Sequence, residues 1–250
     1  MFTLYAPLAS WGEIAVGEIR GSWDRPSRSA VLGLIAAALG IKREQQDLHD
    51  ALREYGVAVR LDAVGTPLSD YHTAQSRALE RKEIPSTRAR LLDRPAHELQ
   101  TILSRRMYRQ DAVATVVLWA RVSARWSLDD LSSALRNPVF VLFAGRKSNV
   151  LGAPLDPEIV SKETLADALV VRPGIPRGIA FGIPGVRLMW EREVSHDPII
   201  ASDGFQSGLR PSRYDIRRDV STHRTKWLFA ERRVETGFIP ESLTVSRGVE

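Results

Sequence analysis

Apolar positions change their spacing several times along this chain, and each change predicts an element. Met1–Ala6 reads as a short strand, and the loop Pro7-Leu-Ala-Ser-Trp-Gly12 follows it. From Ala30 to Leu39 almost every residue is apolar, the pattern of a buried helix rather than a surface one. Ser27 stands where an N-cap is wanted, and Gly40 where a left-handed C-terminal stop is wanted. A second helical pattern over Arg43–Tyr55 puts Leu48, Leu52 and Tyr55 on one face and stops at Gly56. In Val57–Ala63 the apolar Val57, Val59 and Leu61 alternate with Ala58, Arg60 and Asp62, which predicts a half-exposed strand.

Residues 66–106 break this regularity. They are polar, strongly basic and interrupted by Pro67, Pro85 and Pro95, with no sustained apolar period. A long strand is predicted over Tyr108–Val122, and Ser127-Leu-Asp-Asp130 forms a capping box that opens a helix with Leu128, Leu131 and Leu135 inward. Val139–Ala144 is a continuous apolar run fit for the middle of a sheet. The order is therefore β-α-β-β-α-β, and the expected fold is α+β, a ferredoxin-like (RRM-like) arrangement. That domain is assigned to residues 1–148. Residues 149–250 are read as a smaller β-rich region, with a short helix at Thr164–Leu169 and strands at Val186–Val194 and Lys226–Val234.

Charge changes the picture next. The net charge is +5, and most of the cations are arginine, whose forked guanidinium suits phosphates and stacks on bases. A nucleic-acid partner follows from that balance, although arginine excess also arises from base composition alone. The absence of cysteine excludes disulfides and thiol catalysis. No apolar run reaches membrane-spanning length and the N-terminus lacks a signal-peptide pattern, so a cytoplasmic protein without membrane attachment is expected. No Walker loop, dinucleotide fingerprint or nucleophile elbow occurs, and His49, His72, His97, His196 and His223 lack metal-ligand spacing. Neither a metal nor a cofactor is expected.

Several stretches carry candidate chemistry. Arg25, Ser27, Arg28 and Ser29 surround a predicted helix start whose free N–H groups favour a phosphate; a plain capped core helix is the competing reading. Gly145-Arg146-Lys147-Ser148 places two cations and a hydroxyl on a glycine turn, suited to a phosphate or to solvent. Trp11, exposed by its loop position, could stack on a base, mark a protein interface or close the core. Arg210, Arg213, Arg217 and Arg218 with Tyr214 form a further basic patch, and Gly178, Gly182 and Gly185 a glycine-rich segment. Tyr71 and His72, with Lys147, are an alternative set for metal-free general acid–base cleavage of RNA; packing or base stacking is the competing role.

These stretches share an order with one family. Pro7-Leu-Ala-Ser-Trp-Gly12, Arg25-Pro-Ser-Arg-Ser29 and Gly33-Leu-Ile-Ala-Ala-Ala-Leu-Gly-Ile41 resemble the N-terminal signature of the CasD subunits of type I-E CRISPR Cascade, a branch of the Cas-five family in the RAMP superfamily. Asp70-Tyr-His-Thr73, Arg106-Met-Tyr108 with Asp111-Ala112, and Gly145-Arg-Lys-Ser148 resemble its later motifs, as do Asp197-Pro198 and Arg213-Tyr214 with Arg217. Asn149-Val150 departs from the Cys-Pro that often follows Gly-Arg-Lys-Ser in the family.

The resemblance implies a non-catalytic RNA-binding subunit of an antiviral CRISPR surveillance complex. Its ferredoxin-like domain would cradle the 5′ handle of the crRNA, with residues 73–106 as a thumb-like insertion. Ser27, Arg28, Ser29, Arg146, Lys147 and Ser148 would hold handle phosphates, Trp11 and Tyr108 would stack or pack, and Arg106 would touch RNA at the thumb base. Implied partners are crRNA, the large subunit CasA, the backbone subunit CasC and, through the complex, target DNA. Related subunits of another subtype cleave repeat RNA, so a metal-independent endoribonuclease is the alternative. An RRM-like protein outside CRISPR is a third reading, disfavoured by the lack of a ring-rich RNP pattern.

Overall fold

A computed structural model describes residues 1–12, 15, 17–79, 83–171, 189–194 and 211–239. Their strands β1 (Phe2–Ala9), β2 (Ile19–Arg20), β3 (Tyr55–Ala63), β4 (Thr66–Arg77), β5 (Leu99–Ala120), β6 (Met189–Val194), β7 (Arg213–His223) and β8 (Leu228–Phe238) form one eight-stranded sheet. The order is β1-β5-β3-β6-β8-β7, with β2 and β4 also paired to β5. Because β6 pairs antiparallel with β3, the strands after residue 188 extend the first sheet rather than building another. The expected strand over Val186–Val194 is β6; its first three residues lie outside the described ones.

Helix α1 (Arg28–Ala38) forms where the apolar run predicts it. Ser27 Oγ accepts from the Ala30 N–H, and Gly40 closes the other end at φ +74°. Val31, Leu34 and Ile35 pack with Phe2 and Leu4 of β1, Val57 and Val59 of β3, and Val116 of β5. Each such fully buried aliphatic side chain contributes about 1.5–3 kcal/mol. Helix α4 (Leu128–Arg136) opens with the Ser127/Asp130 capping box and adds Leu131 and Leu135 to the same core. The predicted second helix is shorter than its pattern: α2 (Gln46–Ala51) gives way to a 3-10 turn, and Tyr55 already belongs to β3.

Three expectations are corrected. First, β3 is buried on both faces, not half-exposed, because α5 (Leu165–Val171) covers the second one and packs against Ala58 and Val117. The polar residues on that face are neutralised internally. Arg60 lies 2.5 Å from Asp62 Oδ1, donates to the Leu169 carbonyl and to Thr115 Oγ1, and Thr115 donates to Asp62 at 2.7 Å. Burial pushes the Asp62 carboxyl up in spite of Arg60 and Thr115.

Second, much of residues 66–106 is regular. β4 and β5 pair without interruption from Thr66↔Gln110 to Arg77↔Leu99, forming a two-stranded arm. Beyond its base, where Tyr108 is buried, its faces are largely solvated, so its sequence needs no apolar alternation and the backbone ladder carries the register. Arg77 anchors the tip, bonding Glu83 and the Arg90 carbonyl beside the short helix α3 (Arg88–Leu91).

Third, Val139–Ala144 is not a strand. Val139 and Val141 are 66% and 80% exposed, and the Val139 and Phe140 N–H groups donate to the Ala38 and Ala37 carbonyls at the end of α1. The free edge of β1 is covered instead by an irregular segment that bonds it at Ser10–Ala144, Gly152–Tyr5, Thr3–Leu155 and Glu158–Met1. That segment satisfies the edge without the straight geometry of a ladder. Among the described residues, no helix is long and apolar enough to cross a membrane.

Candidate nucleic-acid interface

A cleft of about 700 Å³ opens between the start of α1, the Trp11 loop, the turn after Ala144 and the β7–β8 turn. Ala30, Gly33, Leu34, Ala37, Leu142 and Phe143 give it an apolar floor. Arg20, Arg146, Lys147, Arg218 and Arg224 border it, and Asp219 is the acid in its lining. Asp219 is itself neutralised, accepting from Arg232 Nε at 2.6 Å and Nη2 at 3.0 Å. The cleft is therefore positive over an apolar floor, a combination suited to phosphates and bases together.

The Gly145 turn faces it. Gly145 has φ +86°, and a Cβ there would fall 1.8 Å from the Ser10 carbonyl oxygen, so only glycine fits. Asn149, 2% exposed, shapes the turn. Its side chain donates to the Ala144 carbonyl at 3.1 Å, its N–H to Arg146 O, and its carbonyl accepts from Ala144 N. The departure from the family pattern at this position thus has a structural role. Lys147 and Ser148 are exposed, with Ser148 Oγ 3.2 Å from Asn149 Oδ1. Arg146 lies 4.5 Å over the Tyr108 ring, and its buried Nη1 has no hydrogen-bond partner among the described residues. Tyr108, 8% exposed, is accordingly a packing residue beneath Arg146 rather than an open ring.

The start of α1 is different, and the expectation for its arginines is corrected. The Arg28 N–H donates to Asp219 Oδ2 at 3.0 Å, so a carboxylate of the chain itself occupies the place offered to a phosphate. The Arg28 guanidinium, buried, donates to the Arg53 and Tyr55 carbonyls. Arg25 is 3% exposed and pairs with Asp24 at 2.7 Å. Burial would raise the Asp219 carboxyl, but the Arg232 hydrogen bond and charge, the Arg217 charge and the Arg28 N–H outweigh it, and the net shift is downward. Ser27 and Ser29 still line the cleft, their hydroxyls 3.0 Å apart.

Trp11 is buried, not exposed. It bridges to Trp23 and joins the core while bordering the cleft. Arg106 sits at the base of the arm, opposite Asp70 of β4 and Arg20 of β2, with Nε 3.3 Å from Ser104 Oγ. The alternative catalytic set is not brought together. Tyr71 and His72 are neighbours on β4 and so project to opposite faces of the arm, and neither lines the cleft that holds Lys147. His72 Nδ1 lies 2.8 Å from Asp70 Oδ2. Among the described residues, no cluster of His, Asp and Glu could hold a metal ion.

Sequence reasoning missed Arg20, Arg224 and Trp227, and named Arg218 only within the basic patch around Tyr214. The basic patch around Tyr214 contained one signal, but strand β7 divides it. Arg217 turns inward over Trp23 at 4.6 Å, Arg218 turns to the cleft, and Arg213 pairs with Asp215 at 2.7 Å. Arg210, the glycines at 178, 182 and 185, and Asp197-Pro198 lie outside the described residues.

One α+β sheet, a projecting two-stranded arm and a positive cleft at the start of the first helix define the class of protein. Its family follows from comparison. The model of the CRISPR-associated protein (Cas_Cas5) family matches residues 1–235, and the chain belongs to that family. It is 32% identical over 161 residues to the CRISPR system Cascade subunit CasD of Escherichia coli (strain K12), across 61% of this chain and 66% of that relative, just under two thirds of its length. Among solved structures, a chain of a CRISPR RNA-guided surveillance complex is similar over 99% of this chain and 94% of its own, at 23% identity and a TM-score of 0.67. A crystal structure of a Cas protein is similar over 97% and 95%, at 24% identity and a TM-score of 0.64.

Proposed function

We propose that this chain is a non-catalytic, RNA-binding subunit of a Cascade-type CRISPR surveillance complex and holds the 5′ handle of the crRNA in the cleft. One observation carries this reading: Ser27, Ser29, Arg146 and Lys147, far apart in sequence, meet around one positive cleft whose buried Arg146 nitrogen has no partner among the described residues. Handle phosphates would lie along Lys147, Arg146 and the serine hydroxyls, and its bases over the apolar floor. Recognition of splayed, single-stranded bases is the usual route to RNA sequence specificity. β1, β5 and β3, antiparallel neighbours with α1 crossing between β1 and β3, are read as the ferredoxin-like part. The arm is read as the thumb, with Arg106 at its base reaching the RNA. CasA and CasC are the proposed protein partners, target DNA is read by base pairing to the guide, and the complex acts in the cytoplasm.

That neither Tyr71 nor His72 lines the cleft that holds Lys147 favours this over an endoribonuclease. The test is to co-express the tagged chain with its neighbouring genes, sequence the RNA that co-purifies, and incubate the free chain with repeat RNA in EDTA. Guide RNAs sharing one 5′ handle, uncut by the free chain, are expected. Repeat cleavage in EDTA that His72→Ala abolishes would instead make the protein a processing nuclease.

A further inference from the structure

The β7–β8 turn carries a group with no role in the reading above. Trp227 lies on the cleft wall, 54% exposed, with its backbone at φ +52°. A non-glycine residue in that region is uncommon and strained, so it persists where the surroundings impose it. They do so here. Gln46 accepts from the Arg224 N–H at 2.9 Å, Arg43 donates to the Arg224 and Thr225 carbonyls, and Arg53 donates to the Ser221 and Thr222 carbonyls. Three side chains from the α1–β3 region thus clamp the turn. The clamp acts on the backbone of the turn and of the end of β7 and leaves Trp227 largely open to solvent.

Its neighbours select the ligand chemistry. Phe229 stacks on Trp227 with centroids 6.0 Å apart and planes 17° from parallel. The Arg43 and Arg224 guanidiniums lie 4.6 Å and 5.9 Å from the Trp227 ring centroid. Arg224 lies across α1 at Gly33, where a Cβ would come within 2.9 Å of its Nη2. No carboxylate among the described residues stands within ion-pair distance of either arginine. The crowding registers nearby: burial and Arg43 lower the Arg224 pKa, and burial and Arg224 lower that of His49. An aromatic stack flanked by two guanidiniums with no carboxylate partner among the described residues, open to a basic cleft, matches an unpaired nucleotide, with a π-face for the base and cations for the flanking phosphates.

We propose that Trp227 and Phe229, with Arg43 and Arg224, form a stacking subsite for one unpaired nucleotide of the RNA held in the cleft. The inference rests on the cleft being the RNA site and adds a contact on the β7–β8 part of the same lining. It is sequence-tolerant, because every base offers a π-face, so it sets the register of the strand rather than reading a particular base.

The test measures affinity of the full chain for an about ten-nucleotide single-stranded RNA from the cognate repeat, a length within the span of one single-strand site. It uses the intact RNA and a series with one abasic position moved along it. Trp227→Ala is expected to weaken intact RNA roughly 5- to 150-fold, the size of one lost stack, and Trp227→Phe much less. At one position the abasic substitution should cost wild type that same factor and cost Trp227→Ala nothing. The coupling is read on the RNA side, so it does not depend on a variant that merely folds poorly. If Trp227→Ala matches wild type at every position while Lys147→Ala is still weakened, the stacking subsite is overturned and the cleft reading stands. If wild type does not bind the RNA, both fall. Intact RNA binding with loss of a co-purifying protein subunit would make Trp227 a protein contact and overturn the inference.

Discussion

The start of α1 and the Gly145 turn carry nearly the same short motif, Arg-Ser next to a backbone that presents N–H groups, and the structure uses them in opposite ways. At α1 the Arg28 N–H is taken by Asp219, and the Arg28 side chain is turned inward to two carbonyls. At Gly145 the buried residue is Asn149, which closes the turn internally and leaves Lys147 and Ser148 outside. The first motif ties β7 to α1 across 191 residues of sequence separation; the second faces the cleft. Which group a basic turn binds depends on whether an acid of the same chain reaches it first.

Variants at the two places should separate stability from binding. Asp219→Ala leaves Arg232 buried without its carboxylate and Arg28 N–H without its acceptor, and is expected to cost about 3–5 kcal/mol in denaturant unfolding. A cost below about 1 kcal/mol would show that the α1–β7 lock is not structural. Gly145→Ala forces a Cβ into the Ser10 carbonyl at positive φ; backbone strain alone amounts to about 1–3 kcal/mol, and RNA affinity should fall with it. Ser27→Ala removes the N-cap and is expected to cost about 1 kcal/mol.

Acid should act on the α1 side. The Asp219 pKa is depressed in the folded chain, so its contribution is complete above the unfolded carboxylate value of about 3.9 and disappears as pH falls through the lower folded value. Unfolding measured from neutral pH down to pH 3 should show the onset of this loss in wild type, and Asp219→Asn should flatten that part of the profile. Lys147→Ala, in contrast, should leave the unfolding midpoint unchanged, weaken RNA binding uniformly across sequences and reduce the salt slope by about 1. A large loss of stability from Lys147→Ala would erase the contrast between the two turns.

Local signals were legible wherever the chain interacts with itself over a few residues. The Ser27 cap, the Gly40 stop and the Ser127–Asp130 capping box occur as their spacing predicts. The β4–β5 arm was not legible, since a ladder exposed to solvent over most of its length imposes no apolar period. Val139–Ala144 misled for the converse reason: apolar residues are permitted in an exposed segment when its N–H groups cap a helix end. Of the candidate site, Ser27, Ser29, Arg146 and Lys147 could be picked out as cation- or hydroxyl-bearing helix starts and turns. Arg224 and Trp227 could not, because they reach the cleft only after β7 folds back beside α1.

By itself, then, the sequence determined α1 and α4 with their caps, the glycine that the Gly145 turn requires and a net positive charge, since these depend on interactions between near neighbours or on composition. Tertiary structure alone decided that Arg28 is held by Asp219, that Trp11 and Tyr108 are packed, that Arg60 is buried against Asp62, and that the β7–β8 turn completes the cleft. Those outcomes turn on which distant residue arrives beside each group, and whether a charge ends up paired or open to solvent is settled by that neighbour.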